Sequence, residues 1–206
     1  MSEIQEDKQV VAAFDFDGTL TRRDTLFYFL LYIRSRFTVF RDAVMLSPIL
    51  VGYALGWIRN DVAKERVFAR CLAGIRLDDL KQQGERFSAE ILPGLLRKEA
   101  LARLGWHKNR GHRCIVISAS LDLYVRPWAM RMGFDDVIAS HLETFDDGTI
   151  TGNLSGGNCF GAEKVIRLEA LLGSISGYTL YAYGDSRGDS ELLSVADYAY
   201  YRHFPV

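Results

Sequence analysis

The chain has 206 residues, 49% of them hydrophobic, and a formal net charge of −1. That length allows one domain with a full core and a large insertion, or two small domains, and the composition excludes a disordered chain. The near-neutral charge supplies no basic face, so no nucleic-acid partner is expected.

Met1 to Gln9 is polar and acidic and lacks the basic start and apolar centre of a secretion signal. It reads as a mobile arm (1–9) on a cytoplasmic protein. Cys71, Cys114 and Cys159 are odd in number and have no metal-ligand spacing, which suits a reducing compartment.

Val10 to Phe14 is a short apolar run, as a buried strand requires. It ends at two carboxylates one residue apart, Asp15 and Asp17, followed by Gly18 and Thr19, which favour a tight turn. Side chains alternate along a strand, so the two carboxylates converge only if the chain turns at Phe16 to Gly18. Together they repel unless a cation or a proton lies between them. An isolated Asp-x-Asp is also an ordinary polar strand end.

Asp24 or Thr25 is an N-cap for an apolar helix from Leu26 to Ile33. Ala43 to Ile58 is uncharged for sixteen residues, short of the roughly 20 that cross a bilayer. Pro48 is expected to interrupt it, and Gly52 and Gly56 have the spacing of close helix pairs. A helix packed within a hairpin is the leading reading, and a surface that meets lipid is the second. Asp61 to Leu72 is expected to be helical with Val62, Arg66, Ala69 and Ala73 at helical spacing, and Leu77 to Ile91 forms another amphipathic helix. Residues 24–92 thus form a helical insertion.

Pro93 and Gly94 mark its end. Leu95 to Lys108 is expected to be a helix, and Cys114 to Ile117 a strand running into Ser118, Ala119 and Ser120. A helix over Leu121 to Met132 follows, with Pro127 at a kink or in the first turn, and then a short strand, Val137 to Ser140. Asp146-Asp147-Gly148 turns a β-hairpin. Ala162 to Leu172 is a helix, Thr179 to Tyr183 a strand ending in Gly184 and Asp185, Ser190 to Val195 a helix, and Tyr198 to Tyr201 the last strand. The alternation predicts an α/β fold with a doubly wound, Rossmann-like parallel sheet, built from 10–23 and 93–206. In such a sheet the strand ends at Asp15, Ser118 and Asp185 share one edge.

Asp15-Phe16-Asp17-Gly18-Thr19-Leu20, Ser118 after an apolar strand, Lys164 at a helix start, and Asp185 with Asp189 stand in the order of the four motifs of the haloacid dehalogenase-like (HAD) phosphatases, which the chain resembles over about 10–201. The helical insert between the first two motifs is similar to that of subfamily IB, the phosphoserine-phosphatase-like group. The resemblance implies Asp15 as nucleophile and Asp17 as acid and base. It implies Mg2+ at Asp15, the Asp17 carbonyl and Asp185, and a phosphate cradle at Gly18, Thr19, Ser118, Ala119 and Lys164. Asp189 would anchor Lys164 or a metal-bound water.

The chain departs from phosphoserine phosphatases at Ala119, Ser120 and Gly188, and has Asp24 where they use Glu to read the substrate amine. Arg66 falls near the position of a substrate-reading cap arginine. Asp24 also reads as a plain helix cap, and Arg66 as a surface charge. The implied substrate is a phosphorylated small molecule or a phospholipid head group, with peripheral membrane contact through the apolar cap in the second case. A phosphoserine phosphatase, a phosphotransferase and a non-catalytic phospholigand-binding module are the alternatives. His107, His112, His141 and His203 show no metal spacing.

Overall fold

The structure, a computed structural model, describes residues 8–205. Residues 1–7 of the expected arm lie outside the described residues; Gln9 accepts a backbone hydrogen bond from Thr179 at 3.0 Å and so continues the sheet. In chain order the elements are β1 (Val10–Phe14), α1 (Thr25–Ile33), α2 (Arg36–Ala54), α3 (Asn60–Cys71), α4 (Leu77–Glu90), α5 (Leu92–Leu95), α6 (Lys98–Lys108) and β2 (Arg113–Leu121). They continue with α7 (Asp122–Met132), β3 (Asp136–Thr144), β4 (Ile150–Ser155), α8 (Ala162–Leu172), β5 (Thr179–Gly184), α9 (Ser190–Ser194) and β6 (Tyr198–Tyr201).

The six strands form one mixed sheet in the order β4-β3-β2-β1-β5-β6. Every neighbouring pair is parallel except β3 and β4, the hairpin turned at Asp147 and Gly148, which extends the main sheet at its edge. Central strand β1 is covered on both faces, as its unbroken apolar run requires. Ala12 and Phe14 pack with Leu104 and Trp128, whereas Val11 and Ala13 pack with Leu168 and Leu192. This is the doubly wound arrangement expected.

The chain leaves the sheet after Leu20 and returns before α6, and the two crossings are tied together. Arg22 N–H donates to Leu95 at 2.8 Å, Arg97 N–H donates to Leu20 at 3.0 Å, and Thr21 bridges Leu96. The tie explains why α6 begins at Lys98 and not at Leu95. Phe29 of α1 and Phe87 of α4 pack on Tyr124 of α7, with ring centroids 5.0 and 5.4 Å apart, so the inserted helices share the core of the sheet.

Three local expectations are corrected. Pro48 lies inside α2 without ending it: proline leaves the Val44 carbonyl without its helical donor, and the Ser47 hydroxyl donates to that carbonyl at 2.7 Å. The buried stripe of α3 is Ala63, Phe68 and Cys71; Val62 and Arg66 face outward, Ala69 lies against Gly152 of β4, and Ala73 lies beyond the helix. The helix α2 packs on α3 but is not buried there. It buries Val39, Asp42, Leu46 and Gly52 and leaves most of its large apolar side chains exposed. Pro127, in turn, lies in the interior of α7, beyond its first turn.

Candidate active site

The carboxyl ends of β1, β2 and β5 meet at one edge, where parallel sheets place their ligand crevices. Asp15 follows β1, and its N–H donates to Tyr183 of β5 at 2.9 Å. The chain then makes a single wide turn over Phe16–Leu20. Gly18 sits there at φ +81°, and a Cβ on it would fall among the carboxylate atoms of Asp185. Only glycine lets β1 and β5 deliver their acidic residues side by side.

Asp15 is buried, and its Oδ1 accepts from Lys164 Nζ at 2.5 Å. The same ammonium donates to Asp189 Oδ1 at 2.5 Å. Burial opposes the charge on Lys164, but Asp15 and Asp189 outweigh it and hold its pKa above the usual lysine value. Burial raises the Asp15 pKa to about 7 against the pull of Lys164. The other oxygen of Asp189 accepts from Asp185 N–H, Ser186 N–H and the Ser186 hydroxyl at 3.1, 3.0 and 2.9 Å. Asp189 therefore fixes both Lys164 and the loop that carries Asp185.

Asp17 has a different environment. Its Oδ1 accepts from Thr25 N–H at 2.7 Å, and its Oδ2 accepts from the Ser120 hydroxyl. Burial and the neighbouring charge of Asp24 raise its pKa to about 6, while these two hydrogen bonds pull the other way. The two carboxylates that the sequence sets one residue apart are thus held by separate partners, one by an ammonium and one by neutral donors.

Ser118 is buried at the end of the regular part of β2, and its Oγ accepts from Ser120 N–H at 3.0 Å. The pairing of β2 with β3 shifts register between Ile117 and Leu121, across this segment. Asp15, Asp17, Gly18, Ser118, Ala119, Lys164 and Asp185 line one cavity of about 980 Å³ between the strand ends and the inserted helices. Asp24 reaches it as well, while also capping α1 by accepting from Leu26 N–H at 2.9 Å. Three expected residues are absent from its lining: Asp189 is fully buried behind Lys164, and the other two lie elsewhere. Thr19 is buried and lines a small cleft on the far side of the turn, with Arg97 and Tyr183. Arg66 is exposed on the outer side of α3. Positions two apart on a helix point about 200° apart, and the residue that enters the cavity is Lys64, whose Nζ donates to Ala119 O at 2.8 Å. Lys64 shares the buried side of α3 with Phe68, four residues on. A stripe drawn through Phe68 in place of Val62 would have found it. Asn60 is a second residue the sequence did not single out. It lines the cavity and accepts from Asn158 Nδ2 at 2.5 Å, tying α3 to the loop before α8.

The acidic groups fit a divalent cation. Carboxylate oxygens of Asp15, Asp185 and Asp189 lie within 4.8 Å of one another. Among the described residues, Asp185 Oδ1 is one of few buried side-chain oxygens with no hydrogen-bond donor. Hard carboxylate oxygens are the donors Mg2+ prefers. Asp189 is already saturated by Lys164 and Ser186, which leaves Asp15 and Asp185 as the side chains free to hold an ion.

Comparison with known proteins gives the same assignment. The pattern of the haloacid dehalogenase-like hydrolases matches residues 12–194. Protein CicA of Caulobacter vibrioides is 37% identical over 198 residues, covering 95% of this chain and 86% of its own. A crystal structure of a protein of unknown function from Bordetella pertussis superposes with a TM-score of 0.78 at 25% identity, covering 91% of this chain and 86% of that one. The phosphoserine phosphatase of T. onnurineus shares the fold, with a TM-score of 0.59 at 20% identity over 97% of this chain and 86% of its own. The chain belongs to the haloacid dehalogenase-like hydrolases, with the fold of the phosphoserine phosphatases.

Proposed function

We propose that the chain is a Mg2+-dependent phosphate monoester hydrolase that works through an aspartyl phosphate on Asp15. The observation that carries this reading is the division of labour between two buried carboxylates at one cavity. Asp15 lies against the ammonium of Lys164, and Asp17 lies among the neutral donors Thr25 N–H and the Ser120 hydroxyl. A nucleophile and a proton donor need opposite protonation states at the same pH; burial holds the Asp15 pKa at about 7 and the Asp17 pKa at about 6, so a cation at Asp15 and Asp185 is what would ionise Asp15 ahead of Asp17.

In the first step Asp15 attacks phosphorus, and the P–O bond to the leaving alcohol breaks as Asp17 gives that oxygen its proton. In the second step the carboxylate of Asp17 takes a proton from water. That water attacks the phosphoryl group, the bond to Asp15 breaks, and inorganic phosphate leaves. Ser118 and Lys164, which line the cavity, would hold phosphoryl oxygens as negative charge gathers on them. Asp15, the Asp17 carbonyl and Asp185 would hold Mg2+, which when bound supplies positive charge to offset repulsion between the carboxylates and the phosphate.

The substrate reading is a small phosphate monoester or a phospholipid head group. A cavity of about 980 Å³ is roomy for a single amino-acid phosphate, and Arg22, Arg23, Arg187 and Arg202 among its lining favour an anionic ligand. The test is phosphate release from p-nitrophenyl phosphate with Mg2+ and with chelator, followed by a screen of amino-acid, sugar and lipid phosphates. Turnover that needs Mg2+ is expected. No release from any ester, or full release in chelator, counts against the proposal.

A further inference from the structure

The helix α2 is built inside out. Its inward stripe carries a charge: the buried Asp42 pairs with Arg34 at 3.3 Å and with Arg70 at 2.9 Å. Its outward stripe carries Phe37, Phe40, Val44, Val51 and Leu55 at spacings of three, four, seven and four residues, all on one face. Phe37 is 76% exposed and Phe40 70%, and Trp57, just beyond the helix, is 80% exposed. Scattered exposed apolar residues are ordinary, but a contiguous stripe of this length marks a surface that something covers.

Two observations identify the occupant. The first is charge. From Arg34 to Arg59 the chain holds four arginines and one carboxylate, and that carboxylate, Asp42, is buried. Arg36 stands exposed at one end of the stripe and Arg59 at the other, where Arg59 pairs with Asp61 at 2.6 Å but is the more exposed partner, 82% against 32%. An apolar strip with cationic ends complements an anionic phospholipid surface. A second copy of this chain presenting the same strip would set arginine against arginine. The second is continuity with the cavity. Tyr53, Leu55 and Ile58, at the end of α2 and just after it, form a wall of the cavity that holds Asp15 and Asp17.

We propose that the outward face of α2 with Trp57 docks this protein on an anionic phospholipid bilayer, with the mouth of the cavity beside the lipid head groups. The nineteen residues of α2 are long and apolar enough to cross a bilayer, but the Asp42 ion pairs and the packing of α2 on α3 hold the inner stripe to the protein. The helix therefore lies on the membrane and does not span it. This goes beyond the phosphatase reading, and because binding is measured without turnover, either can fail alone.

The experiment is flotation of the full chain with phosphatidylcholine vesicles, and with vesicles of phosphatidylcholine and phosphatidylglycerol in equal parts. Oligomeric state is measured in parallel by light scattering. The wild type is expected to float with the anionic vesicles, with affinity for the neutral ones lower by about tenfold or more. Phe37→Ser/Phe40→Ser/Val51→Ser should remove binding to both. Arg36→Glu/Arg59→Glu should remove the preference for anionic lipid. Phe145→Ser/Ile166→Ser, which alters exposed apolar residues elsewhere, should bind like the wild type. Thermal melts confirm folding of each variant. A wild type that stays with the buffer overturns the proposal. So does a stable dimer that ignores vesicles and dissociates on the triple substitution, which would assign the face to a second copy. Equal loss of binding in the Phe145/Ile166 variant would also overturn it.

Discussion

The Ser120 hydroxyl donates to the carboxylate of Asp17, across 103 residues of sequence. Hydrogen bonds to the ionised form favour it, so Ser120 and Thr25 lower the Asp17 pKa against burial and Asp24. Ser120→Ala is predicted to raise that pKa and move the acid-base limb of the pH–rate profile assigned to Asp17 to higher pH, with kcat down about tenfold. Asp24→Asn should move the same limb to lower pH. A profile that both substitutions leave in place would remove Asp17 from the proton-transfer role.

Lys164 holds Asp15 and Asp189 at 2.5 Å each, and all three groups are buried. Lys164→Met leaves two carboxylates facing each other without a cation. The cost to stability near pH 7.5 is predicted at about 3–5 kcal/mol, the range for a buried pair that loses one partner. Burial already holds the Asp15 pKa at about 7, above its unfolded value, and loss of the ammonium raises it further, so the folded state binds more protons as pH falls and part of the loss should be recovered toward pH 5. Urea unfolding of wild type and variant at the two pH values measures the difference.

Lys64 and Arg66 differ in placement although they lie two residues apart. Lys64 links α3 to Ala119 at 2.8 Å across the cavity, whereas Arg66 points to solvent. Lys64→Met is predicted to raise KM about tenfold, as loss of a charged hydrogen bond does, and Arg66→Ala to leave kcat and KM within about threefold. Steady-state kinetics on the best ester from the screen decides it. The reverse order would restore Arg66 as the cap residue that reads the substrate.

The sheet and much of the cavity were legible in the sequence because strand ends announce themselves. The apolar runs Val10 to Phe14 and Cys114 to Ile117 stop at a polar residue, Thr179 to Tyr183 stops one glycine before Asp185, and parallel pairing brings those stops together. Lys164 was legible from its place at a helix start. What was not legible depends on rotation and register. The placement of Lys64 and Arg66 depends on which stripe of α3 is buried, and Val62 misleads because it is apolar and exposed. The contact of Ser120 with Asp17 lies within the register shift of β2, which no periodicity encodes. The exposure of α2 follows from Asp42, whose arginine partners on either side of it in sequence turn the charged stripe inward and the apolar one out.

His107, to which sequence spacing assigned no role, is a structural residue. Its ring is buried, with one nitrogen 2.8 Å from the Tyr183 hydroxyl and the other 2.7 Å from His112 Nδ1. Arg103 donates to the same hydroxyl at 2.7 Å, so a neutral ring that accepts from Tyr183 completes the chain. Burial, with Arg103 and His112 adding to it, depresses the His107 pKa to about 3. The unfolded chain therefore binds more protons below about pH 6.5, and stability drains as pH falls from there toward 3, by up to about 1.4 kcal/mol per pH unit. Other groups titrate in the same range, so the quantity to measure is the unfolding free energy of wild type minus that of His107→Gln. It should fall between about pH 6.5 and 4 and be flat above 7. A difference independent of pH would mean that His107 has the same pKa folded and unfolded, and would contradict the depression by burial.

The account rests on a covalent bond between phosphorus and Asp15, and reductive trapping tests that bond directly. Enzyme quenched during turnover of a phosphate ester with Mg2+ is treated with borohydride, which reduces an aspartyl phosphate to homoserine, and is then mapped by peptide mass spectrometry. The account predicts homoserine at position 15, absent when substrate is omitted and absent in Asp15→Asn. Turnover with position 15 unmodified, or trapping at Asp17 or Asp185 in its place, would contradict it.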